Sequence, residues 1–345
     1  MIRFNCDYAE GAHEMILRRL METNLVQTPG YGEDEYCEQA RETIKKACGR
    51  EDAYVQFLVG GTQANLTVID AALRTHQGVI AACTGHINVH ETGSIEACGH
   101  KVLAVNGRDG KVEAAQVEKM CEAHIHDDSF EHMVQPKMVY ISNPTEIGTL
   151  YSKAELEELY RVCKKYGLYL FLDGARLGYG LMAEGNDLDL PSIAALCDVF
   201  YIGGTKVGAL FGEAVVILNP ALKEDFRYIM KQKGAMLAKG RLLGIQFQAL
   251  FEDGLYFEIS RHADQLAMKL KEAFIEHGCT FLAESVTNQQ FPVFKDTELE
   301  ELGKDFSFTY QERVDEEHSA VRFCTSWATK EEDVDALIEK IRNLR

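Results

Sequence analysis

Lys206 is the only charged residue in the run FYIGGTKVGALFG (200–212). Lysine is rarely found among small and apolar side chains unless it has a partner or a task. Removal from water lowers the pKa of an ammonium group, and a neutral amine is a nucleophile that can form a Schiff base with a carbonyl carbon. The alternative is a glycine-rich surface turn whose lysine lies in water. Other residues must distinguish these two interpretations.

A second isolated charge, Asp173, follows the apolar run LYLFL (168–172). A carboxylate at the end of a buried strand needs a cation or strong hydrogen-bond donors. Arg176 is one candidate partner, and such an ion pair would be structural. The alternative is that Asp173 keeps the ring nitrogen of a bound cofactor protonated, so that the ring can accept electrons.

The segment VGGTQAN (59–65) is a candidate phosphate-binding turn, because it ends an apolar run and opens a helical pattern. Its N–H groups and the Thr62 hydroxyl would face an anion at the positive end of a helix. A tight turn with a helix cap is the alternative. Neither a Walker loop nor G-x-G-x-x-G after a strand occurs, which disfavours nucleotide binding. A phosphate-binding turn, a strand-end aspartate and a strand-end lysine, in that order, are what pyridoxal phosphate requires.

The elements that must position these residues alternate along the chain. From residue 53 to 220, short apolar runs alternate with amphipathic stretches. This pattern predicts right-handed βαβ crossovers and an α/β fold of three layers (α/β/α) with a mostly parallel central sheet. Ligands of such sheets bind at the carboxyl ends of the strands, where all three candidate segments lie.

A smaller α+β unit is predicted after the sheet. Long helical patterns follow residue 220, and then FSFTYQERV (306–314) and HSAVRFCTSWAT (318–329) predict antiparallel strands. The charged run 296–305 indicates a solvated helix face or loop. The predicted organisation is an N-terminal segment 1–23, a large domain 24–245 and a small C-terminal domain 246–345.

Two helix starts fit the capping box, in which a hydroxyl residue precedes a glutamate by three positions. They are Ser152 with Glu155 and Thr329 with Glu332. The helices predicted from them cover 152–166 and 330–344.

Composition excludes several classes of protein. The chain has 36 basic and 54 acidic residues, and a formal net charge of −18 repels phosphate backbones and anionic lipids. Its ten cysteines are scattered without C-x-x-C or zinc-type spacing, which is typical of reduced thiols. No export signal and no membrane span is visible. We therefore expect a cytoplasmic protein that binds neither nucleic acid nor membrane.

Taken together, the motifs resemble those of the fold type I (aspartate-aminotransferase-like) pyridoxal phosphate enzymes, and within them the β-eliminating lyase and low-specificity threonine aldolase family. The motifs follow the order and spacing of the family, and they extend over nearly the whole chain. The matching segments are YGED (31–34), GGTQAN (60–65), GHINVHETG (85–93), LDGAR (172–176), GGTK (203–206) and VRFCTSWAT (321–329).

The resemblance implies a cofactor site for pyridoxal 5'-phosphate. Lys206 would form the Schiff base, Asp173 would pair with the ring nitrogen and His86 would stack on the ring. The phosphate and the rest of the cofactor would be held by Gly60, Gly61, Thr62, Asn143, Arg176 and Thr205. No metal is expected, although His86 and His90 stand four residues apart, because no third ligand is obvious; His90 is expected on a helix surface.

The resemblance also implies a substrate site. Arg322 would bind the substrate carboxylate with its planar fork, and Arg176 would reach that carboxylate or the cofactor's phenolic oxygen. His132 matches a second histidine near the substrate hydroxyl, and either it or His86 would be the base there. Lys239 or Arg241 would reach a neighbouring subunit's phosphate, in a homodimer or homotetramer with active sites near the interface.

Two departures from the family pattern concern the substrate and the phosphate. Where the family usually has Arg-Ser-Asp, this chain has Asn5, Cys6 and Asp7, and Cys6 is a poorer donor to a carboxylate than serine. The usual Ser-Gly-Thr phosphate loop begins with glycine here, at Gly60. These changes leave the cofactor prediction standing.

The function predicted from the sequence is that of an aldehyde-lyase. It would cleave the Cα–Cβ bond of a β-hydroxy-α-amino acid, L-threonine or L-allo-threonine, to glycine and acetaldehyde. The alternative is β-elimination or transamination with the same cofactor, in which Lys206 takes the α proton. A non-catalytic ligand-binding α/β protein is disfavoured by the set of Lys206, Asp173 and Arg322.

Overall fold

The secondary structure alternates strands and helices as the apolar runs predict. The computed structural model describes residues 1–344. Its strands are β1 (Ile2–Arg3), β2 (Tyr54–Leu58), β3 (Gln77–Ala82), β4 (Lys101–Val105), β5 (Gln135–Ser142), β6 (Tyr169–Asp173), β7 (Val199–Gly203), β8 (Glu213–Ile217), β9 (Thr280–Phe281), β10 (Gln289–Gln290), β11 (Pro292–Lys295), β12 (Phe306–Ser307), β13 (Thr309–Arg313) and β14 (His318–Cys324).

The α-helices lie between these strands and after them. They are α1 (Glu14–Glu22), α2 (Glu35–Ala47), α3 (Gly61–Ala72), α4 (His86–Val89), α5 (Ser94–Ala97), α6 (Ala114–Ile125), α7 (Lys153–Tyr166), α8 (Leu177–Met182), α9 (Leu190–Leu196), α10 (Phe226–Gln232), α11 (Arg241–Phe251), α12 (Leu255–His277), α13 (Asp296–Leu302) and α14 (Glu331–Arg342). Single 3₁₀ turns cover Arg108–Gly110, Phe130–His132, Pro220–Leu222 and Glu252–Gly254.

Seven strands form the central sheet in the order β2-β8-β7-β6-β5-β3-β4. Every neighbouring pair is parallel except the two pairs made by β8. Successive side chains enter different cores: Leu170 and Leu172 of β6 join one apolar cluster, and Phe171 joins the other. Both faces of the sheet are therefore buried, and the predicted three-layer α/β/α fold is confirmed.

The C-terminal unit is built around an antiparallel sheet of order β10-β14-β11-β9, with β13 also paired to β14. The predicted strands after residue 305 are thus confirmed. Phe274 of α12, Phe323 of β14 and Leu337 of α14 share its apolar core. At the chain's start, β1 pairs with β12, so the N-terminal segment is tied to this unit.

Of the two predicted helix starts, one is confirmed and one is wrong. Ser152 caps α7 in a reciprocal capping box with Glu155. The last helix instead begins after Lys330, whose side chain makes no cap. The Thr329 hydroxyl accepts the Ser326 N–H at 2.7 Å, so the preceding turn uses the group that the prediction assigned to the helix.

The helical pattern after residue 220 is interrupted more often than the sequence suggests. It divides into α10, α11 and α12, and the predicted domain boundary after residue 245 falls inside α11. That helix packs closely on α2, since a Cβ on Gly244 would lie 2.6 Å from the Cys37 sulfur. Within residues 1–344, none of the helices has the length and apolar character needed to cross a bilayer.

Candidate active site

A cavity of about 710 Å³ opens at the carboxyl edge of the parallel strands. The strand register aligns its floor: Ser142 of β5 lies opposite Asp173 of β6, and Gly203 of β7 lies opposite Glu213 of β8. Because β8 runs antiparallel, its first residue reaches the same edge as the last residues of its neighbours. The predicted residues that line the cavity are Gly61, Thr62, His86, Asp173, Arg176, Thr205, Lys206 and Arg322.

Two glycines let the loops after β6 and β7 meet. A Cβ on Gly174 would lie 1.9 Å from the Tyr201 carbonyl oxygen, and one on Gly203 would lie 2.3 Å from the Ala175 carbonyl oxygen. The Gly203 N–H donates to the Gly174 carbonyl at 2.9 Å. Larger residues would separate the two loops, and with them Asp173 and Lys206.

Asp173 is buried, with 4% of its surface exposed, and its carboxylate is held by neutral donors. One oxygen accepts from the Tyr140 hydroxyl at 2.6 Å and from the Asn65 amide at 3.1 Å. The other accepts the Ala175 N–H at 2.9 Å. Among residues 1–344 it has no cationic partner, so the negative charge remains available to a cation in the cavity.

Lys206 points into the cavity rather than into bulk water. Its ammonium forms no ion pair within the described chain. Removal from water lowers the pKa of Lys206, and the nearby Arg176 guanidinium lowers it further. The interpretation of Lys206 as a surface turn residue is therefore excluded, and the amine is poised for nucleophilic chemistry.

Glu213 fixes the loop that carries Lys206. Its carboxyl oxygens accept from the Gly204 N–H at 3.1 Å and from the Thr205 hydroxyl at 2.8 Å. Burial raises the pKa of Glu213 to about 8. Because Thr205 gives its hydroxyl hydrogen to Glu213 and accepts the Gly212 N–H, it has no hydrogen left to donate to a phosphate. Thr205 therefore orders the lysine loop.

The His86 ring is oriented by a buried carboxylate. Its Nδ1 lies 2.8 Å from Glu91 Oε1, and the Glu91 side chain is fully buried. The Asn65 amide bridges Glu91, at 2.7 Å, to Asp173, at 3.1 Å. With a carboxylate as acceptor, Nδ1 carries the hydrogen and Nε2 is left for the cavity. One hydrogen-bonded chain thus connects His86 to Asp173.

Several donors that line the cavity have no hydrogen-bond partner among residues 1–344. Helix α3 begins at Gly61 after Gly60, which provides no side-chain cap. The hydroxyls of Thr84 and Tyr201 line the cavity and are buried without a hydrogen-bond partner. Burial raises the pKa of Tyr201, which keeps that hydroxyl protonated. Free N–H groups and hydroxyl donors at a helix start suit a phosphate, so these residues fit the predicted cofactor.

Arg176 pairs with Asp7 and not with Asp173. Its Nε and Nη2 donate to the two Asp7 oxygens at 2.6 and 3.0 Å, and the Asn288 amide donates to Asp7 at 2.9 Å. Burial alone would raise the pKa of Asp7, but Arg176 and Lys206 lower it to about 2. The proposed Asp173–Arg176 ion pair is therefore wrong, and much of Arg176's hydrogen-bonding capacity is already committed.

Arg322 is held only loosely. Its Nη1 donates to the Gln289 side chain at 3.3 Å and its Nη2 to the Asn5 carbonyl at 3.2 Å. Its Nε is buried without a partner. In the described part of the chain, Arg322 forms no ion pair with a carboxylate. A guanidinium with unused donors at a cavity wall suits a bidentate carboxylate.

Several predicted residues lie outside this cavity. Cys6 does not line it, whereas Tyr8 does. Asn143 is buried and does not line the cavity. Its side-chain oxygen accepts the Tyr151 N–H at 3.0 Å, and its amide nitrogen has no partner among residues 1–344. Gly60 contributes only as the residue before α3.

His132 is exposed in a 3₁₀ turn before β5. The site lies beyond the other end of that eight-residue strand, a length of about 26 Å. Lys239 is exposed, and Arg241 donates to the carbonyls of Val26 and Asn24. None of these three side chains reaches the cavity of its own chain.

His90 is exposed at the end of α4, as the sequence predicts, and it also lines the cavity. It caps α4, and its ring centroid is 5.6 Å from that of His86. Loss of hydration lowers the pKa of His90, and His86 lowers it further. Both effects favour the neutral form of the imidazole.

The sequence reasoning missed four carboxylates around the cavity: Asp7, Glu91, Glu146 and Glu213. Glu91 follows His86 by five residues in GHINVHETG, and Glu213 opens the apolar run EAVVI. An acidic residue next to a chemical motif or at the start of a buried strand is a signal that would have found both. Asp7 contacts a residue 169 positions away, and its match to the aspartate of the family's Arg-Ser-Asp segment does not reveal that partner.

Comparisons with known proteins identify the family of the chain. A sequence-family model described as β-eliminating lyase matches residues 5–297. A low specificity L-threonine aldolase from a Pseudomonas species is 30% identical over 315 residues, covering 90% of this chain and 89% of its own. A solved threonine aldolase from Leishmania major is 46% identical with a TM-score of 0.96, and 99% of each chain is covered.

A more distant structure shows the fold alone. An aspartate aminotransferase from Thermus thermophilus is 16% identical, with a TM-score of 0.72 over 100% of this chain and 92% of its own. This chain belongs to the β-eliminating lyase family. The family and the lyase class predicted from the sequence are thereby confirmed, together with the aspartate-aminotransferase-like fold.

Proposed function

We propose that this member of the β-eliminating lyase family is a pyridoxal phosphate-dependent aldehyde-lyase that converts L-threonine or L-allo-threonine to glycine and acetaldehyde. The observation that carries the proposal is the meeting of three groups in one cavity: the unpaired Lys206 amine, the Asp173 carboxylate without a cation, and the uncommitted Arg322 guanidinium. The similarity to threonine aldolases from Pseudomonas and Leishmania supports the choice of substrate.

The residues of the cavity divide the work of holding the cofactor. Lys206 would hold it covalently, Asp173 would keep its ring nitrogen protonated, and the start of α3 with Thr84 and Tyr201 would hold its phosphate. When bound, pyridoxal phosphate supplies an electron sink for bonds at the α carbon. The neutral donors on Asp173 keep that carboxylate fixed without cancelling its charge.

Other residues would position the amino acid. Arg322 would bind its carboxylate, and the His86 ring, fixed by Glu91, would lie beside the cofactor ring. Arg176 would contribute only the donors that Asp7 leaves free. Binding the carboxylate at one wall orients the α carbon, so that the bond to be broken is selected by position.

The test is a product analysis of the purified protein loaded with pyridoxal phosphate. With L-threonine and L-allo-threonine we expect acetaldehyde and glycine in equal amounts. Serine or cysteine derivatives with a β leaving group serve as the comparison, since β-elimination would give pyruvate and ammonia. Pyruvate from these substrates without aldehyde from threonine would refute the proposal and favour the β-eliminating alternative.

We also propose that the active enzyme is a homodimer or homotetramer in the cytosol. Lys239, Arg241 and His132 do not reach the cavity of their own chain, so any role at a site must be at a neighbour's. The N-terminal segment supports association, because Met21 is 80% and Leu25 is 92% exposed. Sedimentation at the assay concentration should give an oligomer, and a fully active monomer would refute this proposal.

A further inference from the structure

Glu146 is an unassigned carboxylate in the cavity wall. It follows β5 by four residues and lines the cavity together with His86, Asp173 and Lys206. Its Oε1 accepts hydrogen bonds from the backbone N–H of His86 at 2.9 Å and from the Ser142 hydroxyl at 2.6 Å. Two donors to one oxygen fix the carboxyl group in a single orientation.

The second oxygen of Glu146 is the one available to a ligand. Within residues 1–344, Oε2 accepts no hydrogen bond, and it is not among the buried atoms without a partner. Neither a lysine nor an arginine of the described chain forms an ion pair with Glu146. The carboxyl group therefore presents one free acceptor to the cavity.

The surroundings of Glu146 make it a better proton acceptor than a glutamate in water. Burial raises the pKa of Glu146, and the Asp173 carboxylate adds to the increase, although the Ser142 hydroxyl opposes it. The titratable groups that face it are Asp173 on β6, Tyr140 on β5, Tyr151 after β5 and His86 on α4. A general base is most effective when its pKa lies near the working pH.

Asp173, Lys206 and Glu213 have commitments that Glu146 lacks. Asp173 is assigned to the ring nitrogen and Lys206 to the cofactor. Both oxygens of Glu213 accept hydrogen bonds from the lysine loop. His86 uses Nδ1 for Glu91, and His132 lies outside the cavity. His86 and His132 are therefore not the only candidates for the base at the substrate β-hydroxyl.

We propose that Glu146 accepts the proton of the substrate β-hydroxyl through its free Oε2. This inference rests on the proposed function. In the step, the O–H bond breaks and its proton forms a bond to Glu146, while the oxygen's electron pair forms the carbonyl of the aldehyde. The Cα–Cβ bond breaks, its electron pair stays with the α carbon, and a proton added there completes glycine. Glu146 then releases its proton to water.

The test compares Glu146→Gln with Glu157→Gln, which alters an exposed glutamate of α7. Glutamine keeps the shape of the side chain but cannot take a proton. We expect Glu146→Gln to lower kcat for threonine cleavage by about 10² to 10⁴, the usual contribution of a general base. Exchange of the glycine α proton needs no hydroxyl chemistry and should stay within threefold of wild type. Glu157→Gln should change neither rate.

Two further measurements separate a base from a structural residue. Cofactor affinity, followed by fluorescence during titration of the apoprotein, should be the same in Glu146→Gln and wild type. The infrared difference between the two apoproteins should show a carboxyl group that titrates above the ordinary glutamate range of about 4.3. Glu146→Asp should recover part of the cleavage rate, since a carboxylate is restored.

The outcomes distinguish this inference from the function on which it rests. If wild type cleaves threonine and Glu146→Gln does so within threefold, Glu146 is not the base and the proposed function stands. Equal losses of cleavage, exchange and cofactor affinity would also overturn it, because they indicate a structural role. If wild type releases no aldehyde from any β-hydroxy amino acid, the proposed function fails first and the inference falls with it.

Discussion

The two walls of the cavity are prepared in different ways. On the wall formed by the parallel sheet, the Asp173 and Glu91 carboxylates have hydrogen-bond partners: Asp173, Asn65, Glu91 and His86 form one hydrogen-bonded chain. On the wall formed by the small C-terminal unit, Arg322 makes two long hydrogen bonds and leaves its Nε without a partner. The first wall is ordered before a ligand arrives, whereas the second keeps donors in reserve.

The two arginines of the cavity express the same contrast. Arg176 forms a bidentate pair with the fully buried Asp7, and Arg322 has no carboxylate partner among the described residues. Removing one partner of a buried ion pair destabilises the fold, whereas an arginine without a carboxylate partner is available to bind substrate. Variants of the Arg176–Asp7 pair should therefore change the unfolding free energy, and variants of Arg322 should change substrate binding.

The largest effect is expected from Asp7→Asn. It leaves the Arg176 charge buried without a counter-ion, which typically costs about 3–5 kcal/mol of unfolding free energy. Arg322→Gln should cost less than about 1 kcal/mol, since no ion pair is lost and the buried Nε has no hydrogen bond to lose. Urea unfolding of both variants checks this difference. Equal stability losses would remove the distinction between the two arginines.

The wild-type protein should also lose stability in acid because of Asp7. Its pKa is lowered on folding from the ordinary value of 3.8 to about 2. A lowered pKa stabilises the fold above the unfolded value, and this contribution of about 2 kcal/mol is lost as the pH falls from about 4 to about 2. Urea midpoints measured across this range should fall less steeply for Asp7→Asn.

A somewhat smaller effect is expected from Asp173→Asn, which removes the charge from the ordered wall. The amide cannot hold the proton on the cofactor ring, so kcat should fall by about 10² to 10³ while the cofactor stays bound. Asp128→Asn, at an exposed position, serves as the control. Full activity of Asp173→Asn would exclude the assigned role.

Arg322→Lys tests whether the unused guanidinium donors on the wall of the C-terminal unit bind the substrate. Lysine keeps the charge but loses the planar fork, and hydrogen bonds to charged groups are worth about 1.5–3 kcal/mol. We expect KM for the amino acid to rise about 10- to 100-fold with a smaller change in kcat. Arg74→Gln on the surface is the matched control. An unchanged KM would show that the carboxylate binds elsewhere.

Ser142→Ala should have the smallest effect. It removes one of the two donors to Glu146, a hydrogen bond worth about 0.5–1.5 kcal/mol, so kcat/KM should fall about three- to tenfold. Because the Ser142 hydroxyl lowers the pKa of Glu146, its loss should move the acid limb of the pH profile to higher pH. A profile that is unchanged in position would contradict the role of Glu146 as base.

The sequence predicts the residues whose isolation is local and misses those whose partners are distant. Lys206 and Asp173 stand out because each is a charge in an apolar run at the end of a strand. Asp7 and Glu146 do not, because their significance comes from residues that only the folded sheet brings near them. Thr329 has the local pattern of a helix cap, but the tertiary turn with Ser326 takes its hydroxyl.

The fold was more predictable than the site for a related reason. Apolar periodicity reports burial, and burial on both faces of the strands determines the layers. The direction in which each cavity side chain points depends instead on residues that are near it in the fold but distant in sequence. His132 illustrates the limit, since its residue type fits a catalytic base while β5 separates it from the site of its own chain.

Lys206, the unpaired lysine at the sheet edge, is the residue that we expect to carry the cofactor. The decisive measurement is borohydride reduction of the protein loaded with pyridoxal phosphate, followed by proteolysis and peptide mapping. We expect a single pyridoxyl group on the peptide containing Lys206 and none in Lys206→Ala. A label on another lysine, with Lys206 unmodified, would contradict it.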